Sequence, residues 1–144
     1  MKTIIKLSLL LIAISFASCE KPVYDYYYLD NSTGEDIIIY SPVFFDGLLI
    51  TAESPSVNLD LFPKQAGSSK VTQHRAPSEL LCGNRGAIYV TFFYKGKYYR
   101  ESSFADNSIL VQSAWILESD TKSVDHYSFD ITEEYILSLP ESDR

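Results

Sequence analysis

The chain has 144 residues and a formal net charge of −7, with 12 Lys and Arg residues against 19 Asp and Glu residues. This length suits a single domain. The acidic balance argues against nucleic-acid binding, which needs cations to displace the counterions of phosphates, and against electrostatic adsorption to anionic lipid. Aromatic residues, mostly 11 Tyr and 8 Phe, make up 14% of the chain and favour β-strands.

Residues 1–18 have the pattern of an export signal. Two lysines open the segment, residues 7–16 are nearly all apolar, and the small residues Ala17 and Ser18 close it. The apolar run is shorter than the roughly 20 residues that span a bilayer. We therefore expect a cleaved signal peptide at 1–18, and the alternative is a buried core helix.

Cys19 directly follows the small residues. The stretch Ala17, Ser18, Cys19 resembles a bacterial lipobox, in which the new first residue receives a diacylglyceryl group on its thiol. This resemblance implies acyl chains such as palmitate on Cys19. The alternative is cleavage after Ala17, because Ser15, Phe16 and Ala17 also read as small-x-small, and that cleavage yields a secreted soluble domain without lipid.

The remaining chain is expected to be one lipid-anchored domain. Removal of residues 1–18 takes away two lysines, so 126 residues remain with a net charge of −9. We expect a lipidated Cys and short tether at 19–22 and a β domain at 23–144. The residues Glu20–Val23 extend at most roughly 14 Å, which keeps the domain close to the membrane.

The chain has only two cysteines. A lipid on Cys19 leaves Cys82 without a disulfide partner. We expect Cys82 to be a small buried hydrophobic residue, and the alternative is a reactive thiol.

The first half of the domain reads as strands. Tyrosines alternate in 24–30, residues 31–34 (Asn-Ser-Thr-Gly) have turn chemistry, and 35–41 reads as the return strand of a hairpin. Further strands are predicted at 47–51 and 57–62, the second from alternating apolar and polar residues.

The second half mixes strands with two short helical signals. Residues 76–83 predict a helical turn, with Pro early and Gly past its end. Aromatic runs within 86–102 flank Lys95-Gly96 and predict a tight hairpin. Strands are expected at 109–119 and 124–131.

A short helix is predicted to follow the last strand. Thr132 is its candidate N-cap, two acids occupy its first turn, and Pro140 stops it. About seven strands, with turn signals every roughly 8–12 residues, predict an all-β antiparallel sandwich with a short C-terminal helix. A small β-barrel is the alternative.

Four stretches resemble the small lipoproteins of Bacteroidetes-type bacteria. They read SFASCEK, YYYLDNSTGEDIIIY, YVTFFYKGKYY and YSFDITEEYI, and the likeness covers most of the mature chain. The resemblance implies an immunoglobulin-like or transthyretin-like sandwich on the outer membrane and supplies no catalytic residues. An acidic cluster after the lipidated Cys accompanies surface export in those bacteria. Lys21 and Pro22 interrupt such a cluster here, so the periplasmic and cell-surface faces both stay open.

We expect no enzymatic activity, metal or cofactor. The chain lacks H-x-x-H, C-x-x-C and EF-hand patterns. Cys82 with His74 or His126 and an Asp would form only a nominal thiol triad, and His126 is expected to be a cross-strand partner. A hydrolase with paired carboxylates is the low-probability alternative, because 19 acids meet by chance.

Charge segregation supplies one candidate ligand site. Residues 64–85 have a net charge of +3, whereas the other mature residues sum to −12. The basic residues are Lys64, Lys70, Arg75 and Arg85. They suit an anionic sugar, a phosphate or an acidic partner, and the alternative is that this segment folds against the protein's own acids.

Aromatic residues supply a second candidate site. More tyrosines are present than one face of a small core can bury: Tyr24, Tyr26, Tyr27, Tyr28, Tyr98 and Tyr99. We name Tyr98, Tyr99 and Trp115 as the candidates for stacking on sugars, and the alternative for the Tyr surface is a sheet edge or dimer contact. We therefore expect a lipid-anchored envelope protein that is a non-enzymatic binding or assembly module. A carbohydrate-binding surface lipoprotein is the alternative, and it requires Trp115 and the tyrosines to be exposed and coplanar.

Overall fold

The structure is a computed structural model that describes residues 24–59, 76–83, 86–120 and 124–144. Nine strands and two short α-helices are found in these residues. They are β1 (Tyr24–Asn31), β2 (Ile37–Tyr40), β3 (Leu48–Ile50), β4 (Ser56–Asn58), α1 (Pro77–Cys82), β5 (Val90–Tyr94), β6 (Lys97–Glu101), β7 (Ile116–Asp120), β8 (Val124–Ile131), α2 (Glu133–Ser138) and β9 (Glu141–Ser142). None of the helices in this part of the chain is long and apolar enough to cross a membrane.

The strands form two sheets. The four-stranded sheet has the order β4-β1-β8-β7, and the five-stranded sheet has the order β3-β2-β5-β6-β9. The predicted all-β sandwich with a short C-terminal helix is confirmed. The alternative of a small barrel is wrong, because the described strands form two open sheets that do not close on each other.

The core lies between the sheets. Tyr27 and Leu29 of β1 are fully buried, as are Ile37 and Ile39 of β2, so each strand turns alternate residues inward. The Trp115 ring packs edge-on against Tyr27, with 5.2 Å between ring centroids. The apolar alternation of the sequence therefore becomes a shared aromatic and aliphatic core.

The turn after β1 connects the two sheets. Its residues have the predicted turn chemistry: Thr33 Oγ1 donates to Asn31 Oδ1 at 2.7 Å. Asn31 Nδ2 donates to Glu35 O at 2.8 Å and to Ile50 O at 3.2 Å, which ties β1 to the end of β3. The predicted hairpin of 24–30 with 35–41 is wrong, because both edges of β1 are already paired, with β4 and β8.

The pairing of β1 with β8 is parallel over eight residues, from Tyr24↔Val124 to Asn31↔Ile131. Every other strand pair is antiparallel among the described residues. Parallel neighbours need a long crossover connection, and here four of the five strands of the other sheet, β2, β3, β5 and β6, lie in sequence between β1 and β8. The sandwich is thus antiparallel except at its central pair.

Two local predictions are confirmed by backbone geometry. Lys95 and Gly96 form the two-residue turn of the β5–β6 hairpin with positive φ angles of 48° and 80°, as a type I′ turn requires. Thr132 caps α2, since its Oγ1 accepts a hydrogen bond from the Tyr135 N–H at 3.1 Å. Helix α1 has Pro77 in its first turn and Gly83 directly after it, as predicted.

The region 109–119 differs from its prediction as one strand. Only its end, in β7, is extended into a strand, and a 3₁₀ helix occupies Gln112–Ala114. Backbone hydrogen bonds to the carbonyl three residues earlier, from Val111, Ala114 and Trp115, turn the chain here. The Trp115 indole N–H also donates to Ile109 O at 2.9 Å. The short strand β9 was not predicted either, and it pairs with β6 through Tyr99↔Glu141.

Candidate functional site

The outer face of the four-stranded sheet carries aromatic and polar side chains. Because Tyr27 and Leu29 point into the core, the alternate residues Tyr26, Tyr28 and Asp30 lie on the outer face. The parallel register pairs Tyr26 with His126 and Tyr28 with Ser128. Residues 100 positions apart in sequence are thereby placed side by side.

His126 lies between two tyrosine rings. Its ring centroid is 5.5 Å from that of Tyr26 and 5.9 Å from that of Tyr28, with interplanar angles of 19° and 14°. Both are offset-stacked arrangements, which aromatic pairs prefer over a perfect sandwich. The prediction that His126 is a cross-strand partner is confirmed, and we call these three rings the His126 stack.

A shallow cavity of about 270 Å³ lies at the Tyr28 end of the His126 stack. Its walls contain the rings of one tyrosine and one histidine, two carboxylates and two serine hydroxyls, which come from four strands. The lining residues are Tyr28, Asp30, Ser56, Glu118, His126 and Ser128. This volume is slightly below the roughly 300–1,000 Å³ of drug-sized ligand pockets, so the cavity suits one small ring rather than a long chain.

Glu118 is brought to the cavity by an irregularity in β7. The β7–β8 register shifts between Leu117 and Ser119, and such bulges redirect side chains. Ser128 Oγ donates to Glu118 Oε1 at 2.6 Å, which fixes the carboxylate beside the rings. Asp30 supplies the second carboxylate from β1, two strands away. Neighbouring strands are about 4.8 Å apart, so the two carboxylates lie on opposite sides of the cavity.

The candidate ligand residues Tyr98, Tyr99 and Trp115 are not in this cavity. Trp115 is 5% exposed and Tyr99 is 9% exposed, so neither presents a ring face to solvent. Tyr98 is half-buried on the outer face of the five-stranded sheet, with its ring centroid 4.9 Å from that of Phe93. The expectation of exposed, coplanar Tyr98, Tyr99 and Trp115 is therefore wrong: Trp115 is held in the core by its hydrogen bond to Ile109 O.

The other sequence-predicted site residues lie outside the described residues. These are Cys19 and the basic residues Lys64, Lys70, Arg75 and Arg85. Their roles stay predictions.

The cavity residues had only a partial signal in the sequence. The tyrosine alternation of β1 and the cross-strand role of His126 were both visible. The contact between the tyrosines and His126 depends on the parallel β1–β8 register. The position of Glu118 in the cavity wall depends on the irregularity in β7. Neither feature is encoded in a local pattern.

Cys82 is a buried thiol away from this cavity. It forms no disulfide with a described residue, and its Sγ donates to Tyr89 O at 3.3 Å. Burial raises the pKa of the Cys82 thiol, and the hydrogen bond to the Tyr89 backbone lowers it by less. The prediction of a small buried hydrophobic residue is confirmed.

Within the described ranges, no group of three or more His, Cys, Asp and Glu side chains is placed to hold a metal ion. Comparison of the chain with protein-family models, with curated proteins and with solved structures gave no match. The cavity's own chemistry therefore has to carry the functional argument.

Proposed function

We propose that the protein is a lipid-anchored module of the bacterial outer membrane that binds a ligand without transforming it. The cavity beside the His126 stack is the observation that carries the binding part of this proposal, and the export pattern of residues 1–18 followed by Cys19 supports the anchor. Rigid rings on a β-sheet provide contact area at low entropic cost, and carboxylates beside them accept directed hydrogen bonds. Such a surface is suited to recognition.

The hydrogen bonding in the cavity supports binding rather than catalysis. A serine nucleophile is activated by a general base within hydrogen-bond reach, most often an imidazole. The Ser128 hydroxyl instead donates to Glu118 Oε1, and the His126 ring is stacked on both sides by tyrosines. Ser128 thus orients a carboxylate, and His126 supplies a wall.

The ligand class that this cavity fits best is a carbohydrate. Tyr28 offers a ring at the end of the His126 stack, and sugar rings pack their C–H faces against aromatic rings. Asp30 and Glu118 accept hydrogen bonds from hydroxyl groups on two sides of the cavity. The exposed, coplanar Trp115 and tyrosines expected for a carbohydrate-binding lipoprotein are not found. The pairing of ring and carboxylates in the cavity is instead what supports a carbohydrate ligand over a purely structural role.

A glycan array probed with the full-length protein in detergent tests the ligand. We expect binding that persists from low to physiological salt, since stacking and hydrogen bonds to neutral hydroxyls are weakly screened. Glu118→Gln should weaken it about 10-fold or more, the cost of losing a hydrogen bond to a charged acceptor. Glu53→Gln, in an exposed turn, is the matched control.

Two outcomes contradict the glycan assignment. Absence of any array signal leaves the protein as an assembly module. Binding that collapses as salt rises and is unaffected by Glu118→Gln instead assigns the ligand to the basic segment 64–85.

The anchor is tested by mass spectrometry of the native N-terminal peptide. We expect a peptide that begins at Cys19 and carries acyl chains, and a protein that pellets with membranes. Two or three acyl chains hold a protein stably, whereas one does so only marginally. A peptide that begins at Ser18 with a free thiol would mean simple secretion.

A further inference from the structure

The two ends of the sandwich differ in the residues that their loops expose. Strand β1 runs from Tyr24 at one end to Asn31 at the other, where Asn31 Nδ2 reaches Ile50 O at the end of β3. Because packed sheets keep their strand directions within about 30° of each other, the ends of the two sheets coincide. We call the end where β1 begins the anchor end and the opposite one the distal end.

Three loops of the five-stranded sheet lie at the anchor end. At the end of the sheet away from Ile50, Thr91 of β5 pairs with Tyr40 of β2 on one side and with Arg100 of β6 on the other. The loops beyond this row are residues 41–47, 86–89 and 102–107.

Each of these loops exposes a large apolar side chain. Phe45 is 77% exposed, Phe104 is 58% exposed and Ile88 is 41% exposed. Ser103 donates from its backbone N–H to Glu101 Oε1 at 2.7 Å, which keeps the neighbouring Phe104 beside the end of β6.

The turns at the distal end have the opposite character. Residues 32–36, 51–55 and 95–96 are polar, charged or small throughout, and include Glu35, Glu53 and Lys95. Scattered apolar residues are normal on a protein surface, but here two aromatic rings and an isoleucine share one end. The three distal turns have none, and Leu137 of α2, 53% exposed, is the single large apolar side chain exposed in the helix that follows β8.

We propose that the anchor end lies against the lipid bilayer, with Phe45, Ile88 and Phe104 in contact with its interfacial region. This rests on the proposed lipid at Cys19. Tyr24 is five residues from Cys19, a distance of at most about 18 Å along an extended chain. The lipid therefore holds the end where β1 begins at the membrane surface. The mature chain is acidic, so apolar contact rather than charge attraction provides the docking.

This orientation keeps the ligand cavity away from the membrane. Tyr28 is four residues along β1 from its start, which places it about 13 Å from the anchor end. Asp30 lies further still toward the distal end. The cavity opens sideways from the sandwich, so a ligand approaches without crossing the lipid headgroups.

Tryptophan reporters test this orientation in the full-length protein. The variants Phe45→Trp and Glu35→Trp, at exposed positions of the anchor and distal ends, are reconstituted into vesicles of phosphatidylcholine or of dibrominated phosphatidylcholine. Trp115 is buried and common to both, so its emission is subtracted with the parent protein. We expect brominated lipid to quench the added emission of Phe45→Trp at least two-fold and that of Glu35→Trp by less than a tenth. Phe104→Trp should behave as Phe45→Trp does.

A wrong orientation and a missing lipid anchor give different results in these experiments. An acylated protein in which Phe45→Trp and Phe104→Trp are unquenched, or are quenched no more than Glu35→Trp, overturns the orientation and leaves the anchor intact. An N-terminal peptide without acyl mass overturns the anchor, and the orientation with it.

Discussion

The two outer faces of the sandwich both carry tyrosines, but among the residues that the structure describes only the five-stranded sheet has another segment of the chain lying over its tyrosines. On the five-stranded sheet, the Arg144 guanidinium lies 4.3 Å from the centre of the Tyr40 ring and donates to Phe45 O at 3.2 Å. Arg100 also donates to Asp143 O at 2.9 Å. On the four-stranded sheet, the His126 stack instead borders an open cavity. Within the described residues, the same alternation of aromatic residues thus gives one covered face, over which the C-terminal residues fold, and one face that borders the cavity for which we propose a ligand.

The largest expected effect concerns the aromatic layer between these faces. Trp115→Ala should lower the free energy of unfolding by about 3–5 kcal/mol, because it removes a buried ring and leaves a cavity. Urea denaturation measures this. A loss below about 1 kcal/mol, the range of surface substitutions, would mean that Trp115 is not a core residue and would reopen its assignment to a ligand site.

Substitutions of Gly34 and Gly47 test next how tightly the covered face is packed. A Cβ at Gly47 would lie 2.7 Å from Ile38 Cγ2 and 2.8 Å from Tyr40 Cε1, on the covered face. Gly34 has a similar positive φ, with nothing within 4 Å of its Cβ position. Gly34→Ala should cost about 1–2 kcal/mol for the left-handed backbone alone.

Gly47→Ala should cost a further 1–3 kcal/mol for overpacking, and thermal or urea unfolding of the two variants measures the difference. Equal losses for the two glycines would show that the covered face is loosely packed.

The contact of Arg144 with Tyr40 should have a smaller effect. Arg144→Ala removes a cation–π contact and a hydrogen bond, and we expect a loss of about 1 kcal/mol in unfolding free energy. Arg144→Lys, which keeps the charge, should recover part of that loss. If neither substitution changes the unfolding midpoint, the Arg144 side chain does not stabilise the covered face.

The smallest effect is a pH dependence at the start of α2. Lys95 Nζ donates to Glu133 Oε1 at 2.7 Å, and this hydrogen bond lowers the pKa of the Glu133 carboxyl. A lowered folded-state pKa means stabilisation that is full above the ordinary value of about 4.5 and is lost as the pH falls through the folded-state value.

Glu133→Gln should therefore flatten the acid side of the stability profile slightly. The neighbouring exposed substitution Glu134→Gln serves as its control. Identical profiles for the two variants would show that the ion pair is too weakly formed to matter.

Local features of this fold were predictable from the sequence, and long-range ones were not. The Lys95-Gly96 turn and the Thr132 cap follow from backbone geometry that only certain residues favour. The strand that pairs with β1 cannot be predicted in this way, because the alternation of a strand determines which side chains face inward but not which strand lies beside it. The turn after Asn31 favoured a hairpin locally, whereas β4 and β8 occupy both edges of β1.

The candidate site shows the same division. Tyr28 and His126 were each assigned to strands, but only the parallel register brings them together. The burial of Trp115 is not predictable from the alternation of 109–119, because it depends on the turn over 108–115 and on the hydrogen bond from the indole N–H to Ile109 O. The covering of Tyr40 by Arg144 likewise joins residues distant in sequence.

The contrast between an open binding face and a covered structural face is tested most directly by one matched pair of variants. Tyr28→Ala and Tyr40→Ala remove the same half-buried ring from the two outer faces, and both are measured for glycan affinity and for unfolding free energy. We predict that Tyr28→Ala weakens binding about 10-fold or more, as the loss of a stacking ring does, with the smaller loss of stability. Tyr40→Ala should leave affinity unchanged and lose more stability. Equal loss of affinity in both variants, or loss only in Tyr40→Ala, would contradict the account.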